Sequence, residues 1–301
     1  MAVIEGALVY SNLLILLSIG LTITYITTGV PNFAQGSFAI FGSYAALTLL
    51  LLHNIHPYFA IPIALVLGGI IGVLIYVIVL KPLIARGAEI VTLMIATLAT
   101  DLIFLGCIGA YSEYLRSITK RITTKFIFTQ YDFSIGNFSA ILFVSTLVIV
   151  VLLLFLYTLL YKTKFGIALR ASMENPALAE IMGVNVEYTR IFSWFLSGAL
   201  SGVAGCLLPF RQEIVPATGA IIIVSIFAAS IVGGLSSIYG ALIGGYIIGT
   251  SESLVTYALS KLLGPGVLVY GKVISLFVLI IALIVAPRGI MGLKFVRRLT
   301  R

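Results

Sequence analysis

Two acidic residues stand inside long apolar runs of this 301-residue chain, Asp101 in TLMIATLATDLIFLGCIG and Glu252 in GTSESLVTY. A carboxylate at bilayer depth is costly, and such residues commonly bind protons, ions or substrate. Two carboxylates of this kind would suit a carrier of protons or sodium ions. The alternative is structural: Asp101 would accept a hydrogen bond from Thr97 or Thr100, or form an ion pair inside a helix bundle, and Glu252 would do the same.

Two amides occupy a break between the first two apolar runs, which reads GVPNFAQG from Gly29 to Gly36. The break is either an ordinary turn or an unwound stretch that dips into the membrane. In the first case Asn32 and Gln35 are loop residues. In the second they form hydrogen bonds inside a cavity.

A polar segment of about thirty residues, Tyr161 to Arg190, separates two later apolar runs and holds seven of the 28 charged residues. Asn175 followed by Pro176 favours a helix start, because Asn accepts a bond from a free first-turn N–H and Pro lacks that N–H. Gly183 favours a helix end, since it adopts the left-handed conformation readily. The sequence predicts a short helix over 176–182, outside the lipid, to which a soluble partner could bind.

Other chemistry has little support in the sequence. The chain lacks a phosphate-binding glycine loop followed by Lys-Ser or Lys-Thr, so we expect no ATPase site and no cofactor in this chain. Two histidines at one predicted membrane boundary and two cysteines in apolar runs predict no metal site. The net charge of +8 is spread over several loops, which argues against nucleic-acid binding.

The composition defines the elements that must position these residues. The chain is 61% hydrophobic and 9% charged, with a mean hydropathy of +1.20, as expected for helices that cross a bilayer. We predict an all-α polytopic membrane protein with about eight or nine transmembrane helices, of which the seventh and eighth could be re-entrant. The predicted apolar segments are 7–29, 34–52, 58–80, 90–111, 138–161, 191–209, 219–235, 238–259 and 272–286.

Small residues recur at four-residue spacing, as in Gly68 and Gly72, and in Gly198 and Gly202. This spacing lets helix backbones approach closely in lipid. We therefore expect close helix packing at these glycines.

The loop charges predict the orientation, since Lys and Arg accumulate on the cytoplasmic side. With nine segments, the side that carries the C-terminus and the polar segment receives eleven of the eighteen Lys and Arg residues. Four of the remaining seven lie in the 112–137 loop and weigh against this orientation. We predict an outside N-terminus and a cytoplasmic C-terminus, in one continuous membrane domain over 1–301. The C-terminal residues that carry the count are Arg288, Lys294, Arg297, Arg298 and Arg301.

Three stretches in order resemble a known family: NFAQGSFAIFGSYAA, LRASMENPALAEIMGVNVEYTRIFSWFLSGALSGVAG and SIVGGLSSIYGALIGGYIIG. Together they are similar to the permease subunits of branched-chain amino-acid ABC importers, the LivH/LivM type. The similarity covers nearly the whole chain. Gln35 departs from the family, which often has NFAHG at the position of NFAQG here.

The resemblance implies two permease subunits, here favouring a paralogue as the second, two cytoplasmic ATPase subunits that bind ATP, and an extracytoplasmic substrate-binding protein in the cell membrane. It also implies that the 162–190 loop couples to the ATPase. The implied coupling residues are Asn175, Pro176, Ala177, Ala179, Glu180 and Gly183. Polar groups on the substrate pathway would include Asn32, Gln35, Asp101 and Glu252.

The same residues are consistent with other functions. An ion-coupled secondary transporter would use Asp101 and Glu252 as carriers and would need no ATPase. A permease of the same family could carry urea or short amides instead of amino acids. A membrane scaffold or passive channel is the third class.

Overall fold

The computed structural model describes residues 2–136, 138–286 and 289–292. Its twelve described helices are α1 (Ala2–Thr28), α2 (Gln35–His53), α3 (Ile61–Ile75), α4 (Lys81–Ala85), α5 (Ile90–Thr119), α6 (Ala140–Lys162), α7 (Lys164–Glu174), α8 (Pro176–Ile181), α9 (Val186–Leu207), α10 (Thr218–Gly233), α11 (Ile238–Leu263) and α12 (Gly271–Val285). A π-helical turn, Tyr76–Leu80, joins α3 to α4 so that they form one continuous helical run.

The protein is an all-α polytopic membrane protein, as predicted. Seven of the described helical runs are long and apolar enough to cross a membrane, and α10 and α12 are shorter apolar helices. These nine coincide with the nine predicted segments. The largest difference is at α5, which continues to Thr119 through polar residues after its apolar run ends. The apolar pattern marks where lipid lies, whereas backbone hydrogen bonding continues into water.

Two helices form the centre of the bundle. Within the windows that could span a membrane, 89% of the residues of α1 and 83% of those of α9 are buried, against 17% for α5. The central helices are also less apolar than α3 and α6, which expose much of their surface. Lipid requires apolar side chains only where it makes contact, so the interior can hold serines and amides that bond to one another.

The helix contacts at the predicted glycines are close. A Cβ added to Gly68 in α3 would lie 2.2 Å from the carbonyl oxygen of Gly198 in α9, and a Cβ on Gly202 would lie 2.1 Å from that of Ala64. Both helices therefore use the absence of a side chain to bring their backbones together. The prediction of close packing at these glycines is confirmed.

The connection between α5 and α6 carries a small sheet that the sequence did not predict. Strand β1 (Ser134–Ile135) pairs antiparallel with β2 (Phe138–Ser139), with Ser134 opposite Ser139. The same connection is tied to the segment after α9, because Lys125 forms an ion pair with Glu213 at 3.0 Å.

The orientation prediction depends partly on residues that the structure does not describe. Arg288, Lys294, Arg297, Arg298 and Arg301 lie outside the described residues.

Candidate functional site

The predicted short helix is present as α8, Pro176–Ile181, one residue shorter than expected. The side chain of Asn175 accepts a hydrogen bond from the N–H of Leu178 at 3.1 Å, so it caps the first turn. Gly183 has φ +82°, and the N–H of Val184 returns to the carbonyl of Ala179 at 2.9 Å. This is the bond pattern of a left-handed helix end. Local sequence alone therefore fixes both ends of α8.

The surface of α8 is unusually apolar for a helix in a polar segment. Leu178, Ile181 and Met182 are 56%, 81% and 76% exposed, while Ala179 faces inward and is buried. Glu180 is also exposed and stands among these apolar side chains. A short helix with three exposed large apolar side chains and one carboxylate offers a compact surface for another protein.

Side-chain bonds connect the polar segment to the bundle. Ser172 in α7 and Thr189 in α9 lie 3.0 Å apart, oxygen to oxygen. At the start of α9, Glu187 forms an ion pair with Lys81 at 3.0 Å and accepts a hydrogen bond from the Tyr76 hydroxyl at 3.1 Å. α7 is therefore bonded to the start of α9, and the start of α9 is bonded to the continuation of α3.

The second attachment is made at an irregular place in the helix. Tyr76 is the first residue of the π-helical turn, and its ring stacks on Trp194 of α9 at a centroid distance of 6.0 Å. π-helical turns within α-helices occur frequently at functional sites. A movement of Glu187 would act on α3 at this turn.

The break between α1 and α2 forms a buried polar core. Asn32 donates to the side-chain oxygen of Gln35 at 3.0 Å, and both residues are fully buried. Gln35 donates to Ser201 at 2.6 Å and accepts a bond from Ser197 at 3.1 Å. These amides are thus packed among helices and are not loop residues exposed to solvent.

Asp101 joins the same region from α5. It accepts a hydrogen bond from the Ser37 hydroxyl at 2.5 Å, and Thr97 of α5 accepts one from the N–H of Phe33 at 3.3 Å. The described partner of Asp101 is therefore on α2, whereas the sequence pointed to Thr97 or Thr100 on its own helix. Asp101 is partly exposed.

Glu252 is buried in a separate cluster, where it forms an ion pair with the partly exposed Lys272. Lys272 of α12 approaches its Oε1 to 2.5 Å, and the hydroxyl of Tyr10 donates to the same oxygen at 3.2 Å. Ser225 and Ser275 donate to Oε2 at 2.7 and 2.5 Å. Four donors from three helices, α1, α10 and α12, fill both carboxylate oxygens of Glu252.

Known proteins are similar to this chain in sequence and in fold. Residues 3–283 match the family described as "Branched-chain amino acid transport system / permease component". The chain belongs to that family. The permease is 64% identical to the "Probable branched-chain amino acid transport permease protein LivH" of Methanocaldococcus jannaschii, over 97% of this chain and 93% of that protein.

More distant proteins are also similar to this chain in sequence or in fold. The permease is 29% identical to the "High-affinity branched-chain amino acid transport system permease protein LivH" of Salmonella typhimurium, over 92% of this chain and 90% of that protein. The fold is similar to a chain of "PsaBC from Streptococcus pneumoniae in complex with Fab", with a TM-score of 0.57, 16% identity, and coverage of 98% and 96% of the two chains. That likeness concerns the fold alone.

The predicted site residues of the permease fall into three places. Asn175, Pro176, Ala177, Ala179, Glu180 and Gly183 are together on α8 and its ends. Asn32, Gln35 and Asp101 meet around the start of α2, and Glu252 lies apart with Lys272. Among the described residues of the permease, no group of three or more His, Cys, Asp and Glu side chains could hold a metal ion.

Sequence reasoning missed two sets of interacting residues. Tyr76, Lys81 and Glu187 form one contact set, and Tyr10 with Lys272 completes the Glu252 cluster. Lys272 offered a signal, because a lysine at the start of a predicted apolar segment needs a partner. Tyr10 offered none, since its partner is 242 residues away in the chain.

Proposed function

We propose that this permease forms the membrane pathway of an ABC importer for branched-chain or related amino acids, driven by ATPase subunits that bind α8. The observation that carries the proposal is α8 itself. Both of its ends are defined by capping bonds, its exposed face is apolar with one carboxylate, and its base is bonded to the bundle. ATP is bound and hydrolysed by the partner subunits, and this chain contributes no cofactor of its own.

Force from the ATPase passes through α8 into α9 and, through Glu187, into the continuation of α3. A shift of α8 moves the start of α9, where Glu187 holds Lys81 and Tyr76. α9 packs on α1, α2 and α3, and it carries Ser197 and Ser201, which hold Gln35. A small rotation of α9 therefore changes the hydrogen bonds at the buried polar core, in keeping with the alternating-access scheme of transporters.

Membership of the family supports the other partners that we propose. A second permease subunit, favoured as a paralogue, completes the pathway, and an extracytoplasmic protein delivers the substrate. The N-terminus is outside and the C-terminus is cytoplasmic in the cell membrane, which places residues 162–190 on the ATPase side. Lys162, Lys164 and Arg170 support this orientation, because basic residues accumulate on the cytoplasmic side.

Branched-chain amino acids are the substrate class that best fits the chain. The relative with 64% identity bears that name. The amides of Asn32 and Gln35 are bonded to each other and to serines, and Asp101 accepts a bond from Ser37 beside them. Such a core suits passage of an apolar side chain with few polar groups. Urea and short amides are the alternative substrates, and uptake measurements distinguish them from amino acids.

The test is uptake into proteoliposomes that hold the complete importer with ATP inside or outside the vesicles. We expect binding-protein-dependent leucine uptake only when the ATPase subunits have access to ATP. Labelled urea and acetamide serve as competing substrates in the same vesicles. Uptake of leucine driven by a proton or sodium gradient without the ATPase, and abolished by Asp101→Asn, would replace the proposal with a secondary transporter.

The Glu252 cluster favours the ATP-driven alternative. A carrier carboxylate must release and take up its ion during each cycle, yet Glu252 is held by a lysine and three hydroxyl groups. Breaking such a pair leaves an uncompensated buried charge. We therefore assign Glu252 a structural part in the importer.

A further inference from the structure

A cavity of about 450 Å³ opens beside the Glu252 cluster. Cavities of roughly 300 to 1,000 Å³ commonly hold small organic ligands. Polar and charged groups from α1, α11 and the segment after α9 line much of this cavity. They include Tyr10, Arg211, Gln212, Glu252, Ser253 and Thr256.

The charge available to a ligand in this cavity is positive. Glu252 has both oxygens occupied by Lys272, Tyr10 and two serines, so it offers little to a ligand's ammonium group. The described residues give Arg211 one hydrogen bond, from its Nε to the carbonyl of Gly6 at 3.1 Å. Its remaining N–H donors form a fork that matches a carboxylate.

Gly6 allows this placement of Arg211. A Cβ at Gly6 would lie 2.9 Å from the Nε of Arg211. The missing side chain therefore lets the guanidinium lie against the backbone of α1. One bond to that backbone orients the fork, and the rest of the fork stays available.

The cavity lies at the opposite end of the bundle from α8. It is formed where α1 begins, after α9 has ended and where α12 begins. α8 ends before α9 begins, and the 22 residues of α9 separate it from the cavity. A helix of that length extends about 33 Å, roughly the thickness of the hydrocarbon core. If ATPase subunits bind α8, the cavity is on the side that receives substrate.

We propose that this cavity binds the α-carboxylate of the amino-acid substrate on the receiving side, with Arg211 as the carboxylate-binding residue. The proposal rests on the proposed function and adds a substrate group and a site to it. Lys272 compensates the charge of Glu252, so the carboxylate of Glu252 does not cancel the positive charge of Arg211. The site selects amino acids over their amides, because an amide group lacks the negative charge that the fork of Arg211 recognises.

The test measures how fast phenylglyoxal modifies Arg211 in the complete importer in nanodiscs, by mass spectrometry of the Arg211 peptide. We expect saturating leucine to slow the modification several-fold and leucinamide to have no effect. Arg116 is the internal control, because it is an exposed arginine paired with Glu113 at 3.5 Å and should react equally in all conditions. Equal reaction of Arg211 with and without leucine, or equal protection by leucinamide, would overturn the site.

Variants give a second measurement. Arg211→Gln should lower ATP-driven uptake at low leucine concentration roughly ten-fold or more, the loss of one charge-assisted bond. Arg211→Lys should retain part of the uptake, and Arg116→Gln should retain all of it. Basal ATP hydrolysis and complex assembly report folding. Unaltered uptake by Arg211→Gln refutes only the carboxylate site, whereas absence of ATP-driven leucine uptake in the unaltered importer refutes the proposed function.

Discussion

The stability of α8 depends on two residues, so replacing both should loosen it selectively. Asn175→Ala removes the cap of the first turn, which costs about 1 kcal/mol. Gly183→Ala forces a side chain into φ +82°. A Cβ there meets no atom within 4 Å, so the cost is conformational alone, about 1 kcal/mol. The sum of about 2 kcal/mol lowers the folded population of α8 relative to its open form roughly thirty-fold.

Hydrogen exchange of the importer measures this loss directly. Amides of residues 178–184 in the double variant should exchange roughly thirty-fold faster when exchange follows local opening. Amides in α7 should keep their rates, because Thr163 caps that helix independently, through its bond from the N–H of Gly166 at 3.0 Å. Glu180→Gln is the matched control, since it leaves both ends of α8 unchanged. Unchanged rates in the double variant, or equal acceleration in α7, would refute the capping argument.

Three further perturbations test the packing and the connections. Glu252→Gln leaves Lys272 without its anion. The cost should be about 3 kcal/mol, the lower end for buried pairs, because the Lys272 side chain is 23% exposed. It is seen as a large fall in the thermal unfolding temperature in detergent, and an unchanged temperature would contradict the burial of this pair. Glu187→Gln keeps an acceptor for the Tyr76 hydroxyl and removes only a partly exposed ion pair worth less than about 1 kcal/mol. The unfolding temperature should therefore hardly change while leucine imported per ATP hydrolysed falls. An unchanged ratio would remove Glu187 from force transmission. Gly68→Ala places a Cβ 2.2 Å from the Gly198 oxygen and should destabilise the folded protein by about 1 to 3 kcal/mol. Gly106→Ala, with open space around it, should leave the stability unchanged or slightly raised. Equal effects at the two glycines would contradict the close contact of α3 and α9.

The helices were predictable because lipid imposes a simple length and composition on them. The nine apolar segments needed no knowledge of their neighbours, and neither did α8, whose Asn-Pro start and Gly end are local signals. The end of α5 was misplaced, since its last turns leave the apolar pattern. Lys120, with φ +56°, ends that helix, although lysine rarely adopts the left-handed conformation.

Contacts between distant residues were not predictable. Glu252 was recognised as costly, yet its partners Tyr10 and Lys272 come from two other helices and are known only once those helices pack. The same applies to Gln35. Its side chain is buried because it bonds to Ser197 and Ser201, which are 162 and 166 residues away in the chain. The sequence indicates that these polar groups need partners, but the partners can be identified only from the packing of the helices.

The central claim is that ATP energy enters the permease at α8, and photo-crosslinking tests it most directly. A photoreactive amino acid at Ile181, which is 81% exposed, should crosslink to an ATPase subunit in the intact importer, with a yield that changes when ATP is added. The same probe at Tyr114, which is 62% exposed on α5 beyond its apolar run, should give no ATPase crosslink. ATPase crosslinks from Tyr114 and none from Ile181 would contradict both the docking assignment and the orientation.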